Sequence, residues 1–219
     1  MTNRFVLLDA VGTVIFPDPP VAKAYYQAAI SHAAQISEAE IKTRFPHAVS
    51  KYYDRKSGVY HLPCSDESDR LLWQQIVKEV FDEQYSEELF EDLWSHFAAP
   101  HSWSTFPDVN GLIKNLQDCG FSVGIASNFD SRLAPIVRHL IPEIRDDQIF
   151  YSTKLGFAKP DVRFFKAIEA RVHHTESSRF LMIGDNWSLD FEAARRAGWS
   201  ALWKSGSLLP TVDEITNQF

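Results

Sequence analysis

The chain has 219 residues, 45% of them hydrophobic and 13% aromatic, enough to bury a sizeable core and too rich in Phe and Trp for a disordered segment. Its net charge is −7, and residues 17–100 carry eight Lys and Arg against fourteen Asp and Glu, a balance that repels nucleic acid and otherwise reads as the solvated faces of helices. Cys64 and Cys119 stand far apart and outside any CxxC pair, so neither a disulfide framework nor a thiolate metal site is indicated, and both are expected to be small buried hydrophobes.

The first element is the continuous apolar run 5–8, which reads as a strand buried on both faces. Asp9 interrupts it, only Arg4 precedes it as a basic residue, and no small-residue cleavage site follows. The run therefore predicts neither a signal peptide nor a membrane span, and a cytoplasmic location is expected. From Pro17 to Pro100 the strand signal vanishes. Helical patterns cover 21–35, 37–53, 66–81 and 86–97, the second opened by the capping box Ser37-x-x-Glu40. In the third, Leu72, Ile76 and Val80 form one apolar stripe and Trp73, Val77 and Phe81 the next. These helices predict a small bundle, entered through Pro17-Asp18-Pro19-Pro20 and left near Pro100, as an inserted lid would be.

After residue 100 strands and helices alternate. Strand-like runs occupy 121–126, 148–151, 180–183 and 201–203, and helical patterns occupy 109–118, 131–140, 160–172 and 189–197. Such alternation predicts an α/β fold with a parallel sheet covered on both faces.

In an open parallel sheet, ligands gather beyond the carboxyl ends of the strands. Asp9 follows the first run, Ser127-Asn128 the second and Gly184-Asp185 the fourth, while Lys159 stands at the start of the helix after the third. Each alone has an ordinary reading: a turn or helix cap for Asp9 and Ser127, an exposed lysine, a turn aspartate. Together they set two acids, a hydroxyl with an amide and a lysine on one edge. Gly12 permits a tight turn after Asp9, and Thr13 can bond that turn. Asp190 is either a helix N-terminal acid or a group that orients Lys159 or contacts a metal-bound water.

The segments Asp-Ala-Val-Gly-Thr (9–13), Ala-Ser-Asn (126–128), Ala-Lys-Pro-Asp (158–161) and Gly-Asp-Asn-Trp-Ser-Leu-Asp (184–190) resemble, in order and setting, the four motifs of the haloacid dehalogenase superfamily. The resemblance covers about 135 residues of core, and the helical insertion after the first strand matches that superfamily's commonest cap. It implies a Rossmann-like α/β core of residues 1–16 and 101–219, with five parallel strands in the order 5-4-1-2-3, and an all-helical cap of residues 17–100. Further, it implies a nucleophilic Asp9, with Ser127 and Lys159 as catalytic partners. Gly12, Thr13 and Asn128 would meet substrate, and Mg²⁺ would be held by Asp9, Asp185, the backbone carbonyl of Val11 and, directly or through water, Asp190. The implied partner is a small-molecule substrate, with no nucleic acid or membrane, for a monomer or homodimer.

Val11 departs from the phosphatase pattern, which places at this position an aspartate that protonates the leaving group. Three readings stay open. In the first the chain is a metal-dependent phosphohydrolase acting on a good leaving group such as an acyl phosphate, or recruiting another acid, His101, Asp130 or a residue of the cap. A second reading is a 2-haloacid dehalogenase, where halide leaves without a proton; Asp185 fits that pattern poorly, and Arg44 aligns to no halide cradle. A third is a phospho-ligand binding protein that has lost catalysis. Phosphonate-cleaving relatives use a cap lysine, and none of Lys23, Lys42, Lys51, Lys56 and Lys78 stands out for it. His173-His174 lacks a carboxylate spacing for metal, Trp187 is read as a pocket wall or a loop packed on the core, and Trp73, Trp94 and Phe97 are expected in the core of the bundle.

Overall fold

A computed structural model describes residues 3–53, 64–172, 175, 178–206 and 209–219. Lys56 and the His173-His174 pair lie outside these residues. The sheet is built from β1 (Arg4–Leu8), β4 (Ser122–Ser127), β5 (Ile149–Tyr151), β6 (Arg179–Gly184) and β7 (Ser200–Trp203), in the order β5-β4-β1-β6-β7 and parallel throughout. Numbered among themselves, these five strands give the expected order 5-4-1-2-3, with β1 at the centre. Centrality explains its unbroken apolar sequence, because both faces of β1 are covered.

Alternate residues of the sheet feed two separate cores. Val6 and Leu8 join the cluster under α5 (Val109–Asp118) and α6 (Leu133–Leu140), represented by Ile113, Leu116 and Ile136. Leu7 and Met182 point the other way, toward Phe164 and Phe165 of α8 (Val162–Arg171) and Ala194 of α9 (Ala193–Arg196). Each helix buries the apolar stripe its sequence carries. Two short helices, α7 (Ser152–Leu155) and α10 (Val212–Thr216), escape sequence reading because each is too brief to show a period.

The helical insert comprises α1 (Val21–Ser31), α2 (Glu38–Tyr53), α3 (Asp66–Phe81) and α4 (Glu87–His96). Its own core is formed by Tyr25, Ile41, Ile76, Phe81, Phe90 and Leu93. At the head of α2 the Glu40 N–H donates to Ser37 Oγ at 3.2 Å and the Ser37 N–H to Glu40 Oε2 at 2.9 Å, the reciprocal bonds of a capping box. Where the insert leaves and rejoins the core, β2 (Ile15–Pro17) pairs antiparallel with β3 (Trp103–Thr105), Phe16 facing Ser104. Three residues per strand are too few to show alternation, so this ribbon is invisible in the sequence. Elsewhere the insert touches the core through Asp66 at the start of α3, whose Oδ1 accepts the Ser131 N–H at 3.0 Å and the Thr153 hydroxyl.

Cys119 is exposed at the end of α5 and Cys64 is half-buried, so neither is the buried hydrophobe expected. Cys119 caps a helix that ends at the surface, which leaves nothing to cover it. Among the described residues no helix is long and apolar enough to cross a membrane.

Gly124 of β4 lies against the turn that leads into β5: a Cβ there would sit 2.6 Å from the Gln148 carbonyl oxygen and 3.2 Å from Leu7 Cδ1. Gly124→Ala is expected to lower unfolding free energy by about 1–3 kcal/mol, read by urea denaturation; unchanged stability would show that the strands yield.

Candidate active site

The turn after β1 is wound around one carbonyl. The Ala10 oxygen accepts the N–H groups of Thr13, Val14 and Ile15 at 3.2, 2.9 and 3.0 Å, which folds the chain back sharply and leaves Asp9 at the sheet edge, 8% exposed. Gly12 has φ 87°, a left-handed conformation open to glycine at little cost. A Cβ on it would stand 2.4 Å from Asp185 Oδ2, so the residue also clears room for that carboxylate. Thr13 is fully buried; its hydroxyl donates to Asp185 Oδ1 at 3.2 Å and accepts the Asp185 N–H at 3.1 Å. Gly12 and Thr13 therefore tie the end of β1 to the end of β6.

Lys159 is 1% exposed, and its ammonium uses all three donors: Asp9 Oδ1 at 2.7 Å, Asp190 Oδ1 at 2.5 Å and the Ala126 carbonyl at 3.0 Å. Burial alone would lower its pKa, but the two carboxylates outweigh that penalty and hold it above the ordinary lysine value. The peptide that carries Lys159 is clamped in turn. Asn128 donates from Nδ2 to the Lys159 carbonyl and accepts the Lys159 N–H on Oδ1, each at 2.8 Å. The amide expected to meet substrate is thus engaged at both ends in placing the lysine.

Asp185 and Asp190 arise from the irregular segment after β6. The chain there forms a π-helical turn over Trp187–Glu192, begun by Asn186, whose Oδ1 accepts the N–H groups of Ser188 and Leu189. This wide turn begins two residues before the helix expected from 189, and it returns Asp190 beneath Gly184, where a Cβ would lie 2.2 Å from Asp190 Cγ. Asp190 is 1% exposed and both its oxygens are used, Oδ1 by Lys159 and Oδ2 by the Asn186 N–H at 3.0 Å. Burial pushes its pKa upward against the pull of Lys159. Partial loss of solvent, with the Asp9 charge added, raises that of Asp185 as well.

Asp9, Asp185 and Asp190 each offer an oxygen within 4.8 Å of the others. Oδ2 of Asp9 and Oδ2 of Asp185 accept no hydrogen bond from the described residues. An all-oxygen set with unspent lone pairs and one lysine among three acids fits a hard divalent cation. Ser127, 3% exposed at the end of β4, presents a hydroxyl with no bond to a described residue. The structure therefore brings together Asp9, Lys159, Asp185 and Asp190, with Gly12, Thr13 and Asn128 as their supports, and sets Ser127 at the end of β4 beside them in the sheet.

Val11 projects differently. It is 36% exposed and lines a cavity of about 290 Å³ between the insert and the core. Trp73, Trp94 and Phe97, expected only as core of the bundle, also line it. Arg132 enters from the core side: its guanidinium donates to Asp130 Oδ1 at 2.9 Å and Oδ2 at 2.7 Å and lies 3.3 Å from the Trp94 ring centroid. Asp130 is consequently committed to Arg132. Arg44 donates to the Val80 carbonyl within the insert, away from this cavity. Trp187 packs on Phe191 and Trp203 and is absent from the cavity wall.

Sequence reading passed over Lys204. It is 3% exposed and donates to the carbonyls of Gly12 at 2.9 Å and Gly206 at 2.8 Å, bracing the turn that carries Asp9. Burial lowers its pKa, with Asp185 opposing. The strand-end rule applied to the fifth run would have found it. Arg132 had no such signal, since its partner Trp94 is 38 residues away.

Known proteins resemble this chain in sequence and in fold. The chain is 28% identical over 205 residues to haloacid dehalogenase-like hydrolase domain-containing protein 3 of Danio rerio, covering 89% of this chain and 82% of that protein. Its fold matches that of the HAD-hydrolase YfnB from Bacillus subtilis bound to magnesium, with a TM-score of 0.72, 19% identity and coverage of 99% and 98% of the two chains. It also matches the defluorinating L-2-haloacid dehalogenase Rha0230, with a TM-score of 0.71, 17% identity and coverage of 95% and 88%. Residues 4–198 match the sequence profile of the haloacid dehalogenase-like hydrolases, and the chain belongs to that family.

Proposed function

We propose that this hydrolase is a Mg²⁺-dependent phosphohydrolase acting on a small phosphorylated metabolite through an aspartyl intermediate at Asp9, with residues 17–100 as a cap over a core of 1–16 and 101–219. The observation that carries the reading is the fully buried Lys159 ammonium bonded to Asp9 and Asp190, with Asp185 close by. A phosphoryl group brings about two negative charges, and a carboxylate nucleophile must be protected from them. A 2-haloacid brings one negative charge, on its carboxylate, and attack on its carbon leaves Asp185 without a task.

Each residue has a distinct task. Lys159 fixes Oδ1 of Asp9 and leaves Oδ2 for attack on phosphorus. Because two carboxylates hold its proton, Lys159 stays cationic while the phosphoryl oxygens gain charge. Ser127 donates its hydroxyl to one of those oxygens. Asn128 and Asp190 position Lys159, and Gly12, Thr13 and Lys204 position the turn and Asp185. Asp9, Asp185 and the Val11 carbonyl would hold Mg²⁺, with Asp190 behind them; when bound it supplies charge neutralisation at the phosphoryl group. The magnesium-bound relative supports this choice of ion. Val11 offers no proton, and Asp130 is held by Arg132, so the leaving group departs unaided and must be a stable anion.

Asp9→Asn is expected to abolish phosphate release with the circular dichroism spectrum unchanged, and EDTA to do the same reversibly in the unaltered protein. Retained turnover in Asp9→Asn would remove the nucleophile. Val11→Asp should raise hydrolysis of a simple alkyl phosphate by about 10²-fold or more, and no gain would count against the missing-acid account. Asp190→Asn is expected to cost about 1–3 kcal/mol of stability, as a hydrogen bond to a charged group is lost; thermal unfolding that matches the parent protein would show that Lys159 is held well enough by Asp9.

A further inference from the structure

The cavity beside Val11 describes the departing group. A dry cavity of about 150 Å³ holds benzene, and this one, at about 290 Å³, has room for a substituted ring. Its walls are largely the rings of Tyr25, Trp73, Trp94, Trp103 and Phe129. The charged lining residues are Asp130 and Arg132, and they neutralise each other through a two-pronged bond, with the guanidinium also laid on Trp94. That leaves no unspent charge on the lining to receive a second phosphate, a carboxylate or an ammonium group. The Tyr25 hydroxyl, on a residue 2% exposed, bonds to no described residue, so an acceptor carried by the occupant would satisfy it.

Resting on the phosphohydrolase reading, we propose that the substrate is an aromatic acyl phosphate, an uncharged ring joined through a carbonyl to the phosphate, with the ring seated against these aromatic walls. The wall selects the ring, and Val11 selects the acyl link. A carboxylic acid has a pKa of about 4 and a phenol about 10, so the carboxylate leaves at neutral pH without a proton donor. In the first step Asp9 Oδ2 bonds to phosphorus as the bond from phosphorus to the acyl oxygen breaks, and the electron pair departs on the aromatic carboxylate. In the second, water attacks the aspartyl phosphate, the Asp9 carboxylate is released, and the water's proton ends on the phosphate, giving dihydrogen phosphate. Charge and atoms balance with no other acid or base.

Three substrates separate the parts of the claim: benzoyl phosphate, acetyl phosphate, which lacks the ring, and benzyl phosphate, which keeps the ring but leaves as an alkoxide. With Mg²⁺ present and spontaneous hydrolysis subtracted, kcat/KM for benzoyl phosphate is expected to exceed each of the others by at least about 100-fold. Val49→Phe and Val77→Phe, which thicken the cavity wall from two different helices, should each narrow the benzoyl-to-acetyl ratio at least ten-fold through KM. Equal kcat/KM for benzoyl and acetyl phosphate would overturn the aromatic assignment and leave the phosphohydrolase reading standing. Equal values for benzoyl and benzyl phosphate would overturn the acyl assignment. If no compound releases phosphate, the phosphohydrolase reading falls, and saturable quenching of tryptophan fluorescence by 2-naphthol decides the ring site on its own: quenching abolished by both Phe variants supports the site, and absence of saturable quenching, or quenching that persists in either variant, overturns it.

Discussion

Everything at this sheet edge depends on one buried cation. An ammonium group taken out of water is costly unless it is paired and fully hydrogen-bonded. Lys159 meets that demand with two carboxylates and a carbonyl. The same bonds fix the carboxylates: Asp9 cannot turn away without leaving a charge unpaired, and Asp190 cannot relax toward solvent. Charge placement and fold stability are thus a single arrangement, and the chemistry inherits its geometry from the cost of breaking it.

Around that cation the acids divide their work by how much of each is spent. Asp190 has both oxygens occupied and acts on the lysine. Asp9 and Asp185 each keep one oxygen that accepts no hydrogen bond from the described residues. The division is produced by backbone features with no chemistry of their own: the bare Cα of Gly12 beside Asp185, that of Gly184 beside Asp190, and the wide turn that follows. A residue with a Cβ at either glycine would push a carboxylate out of place.

Much of this was legible in the sequence because it lies at the ends of long, strongly patterned elements. The run before Asp9 read as a strand buried on both faces, and the third insert helix carried two adjacent apolar stripes. Convergence of Asp9, Ser127, Lys159 and Asp185 followed from the rule for parallel sheets. Less could be read where short-range pattern is silent. The β2–β3 ribbon has three residues a side, and the pairing of Arg132 with Trp94 joins distant segments. Thr13 and Asn128 were legible as neighbours of the site but not as its struts, since a hydroxyl or amide looks the same in sequence whether it faces a ligand or the backbone. Cys119 shows the converse failure, a residue type usually buried that sits where its helix runs out of protein.

The paired strands at the foot of the insert carry a last implication. Because Phe16 and Ser104 face each other across β2 and β3, the excursion begins and ends at one point, and the chain re-enters the sheet domain beside the place it left. A helical excursion tethered at a single foot can lengthen or shorten with its two ends unmoved, so its sequence is free to drift while the sheet edge that holds Asp9 keeps its shape.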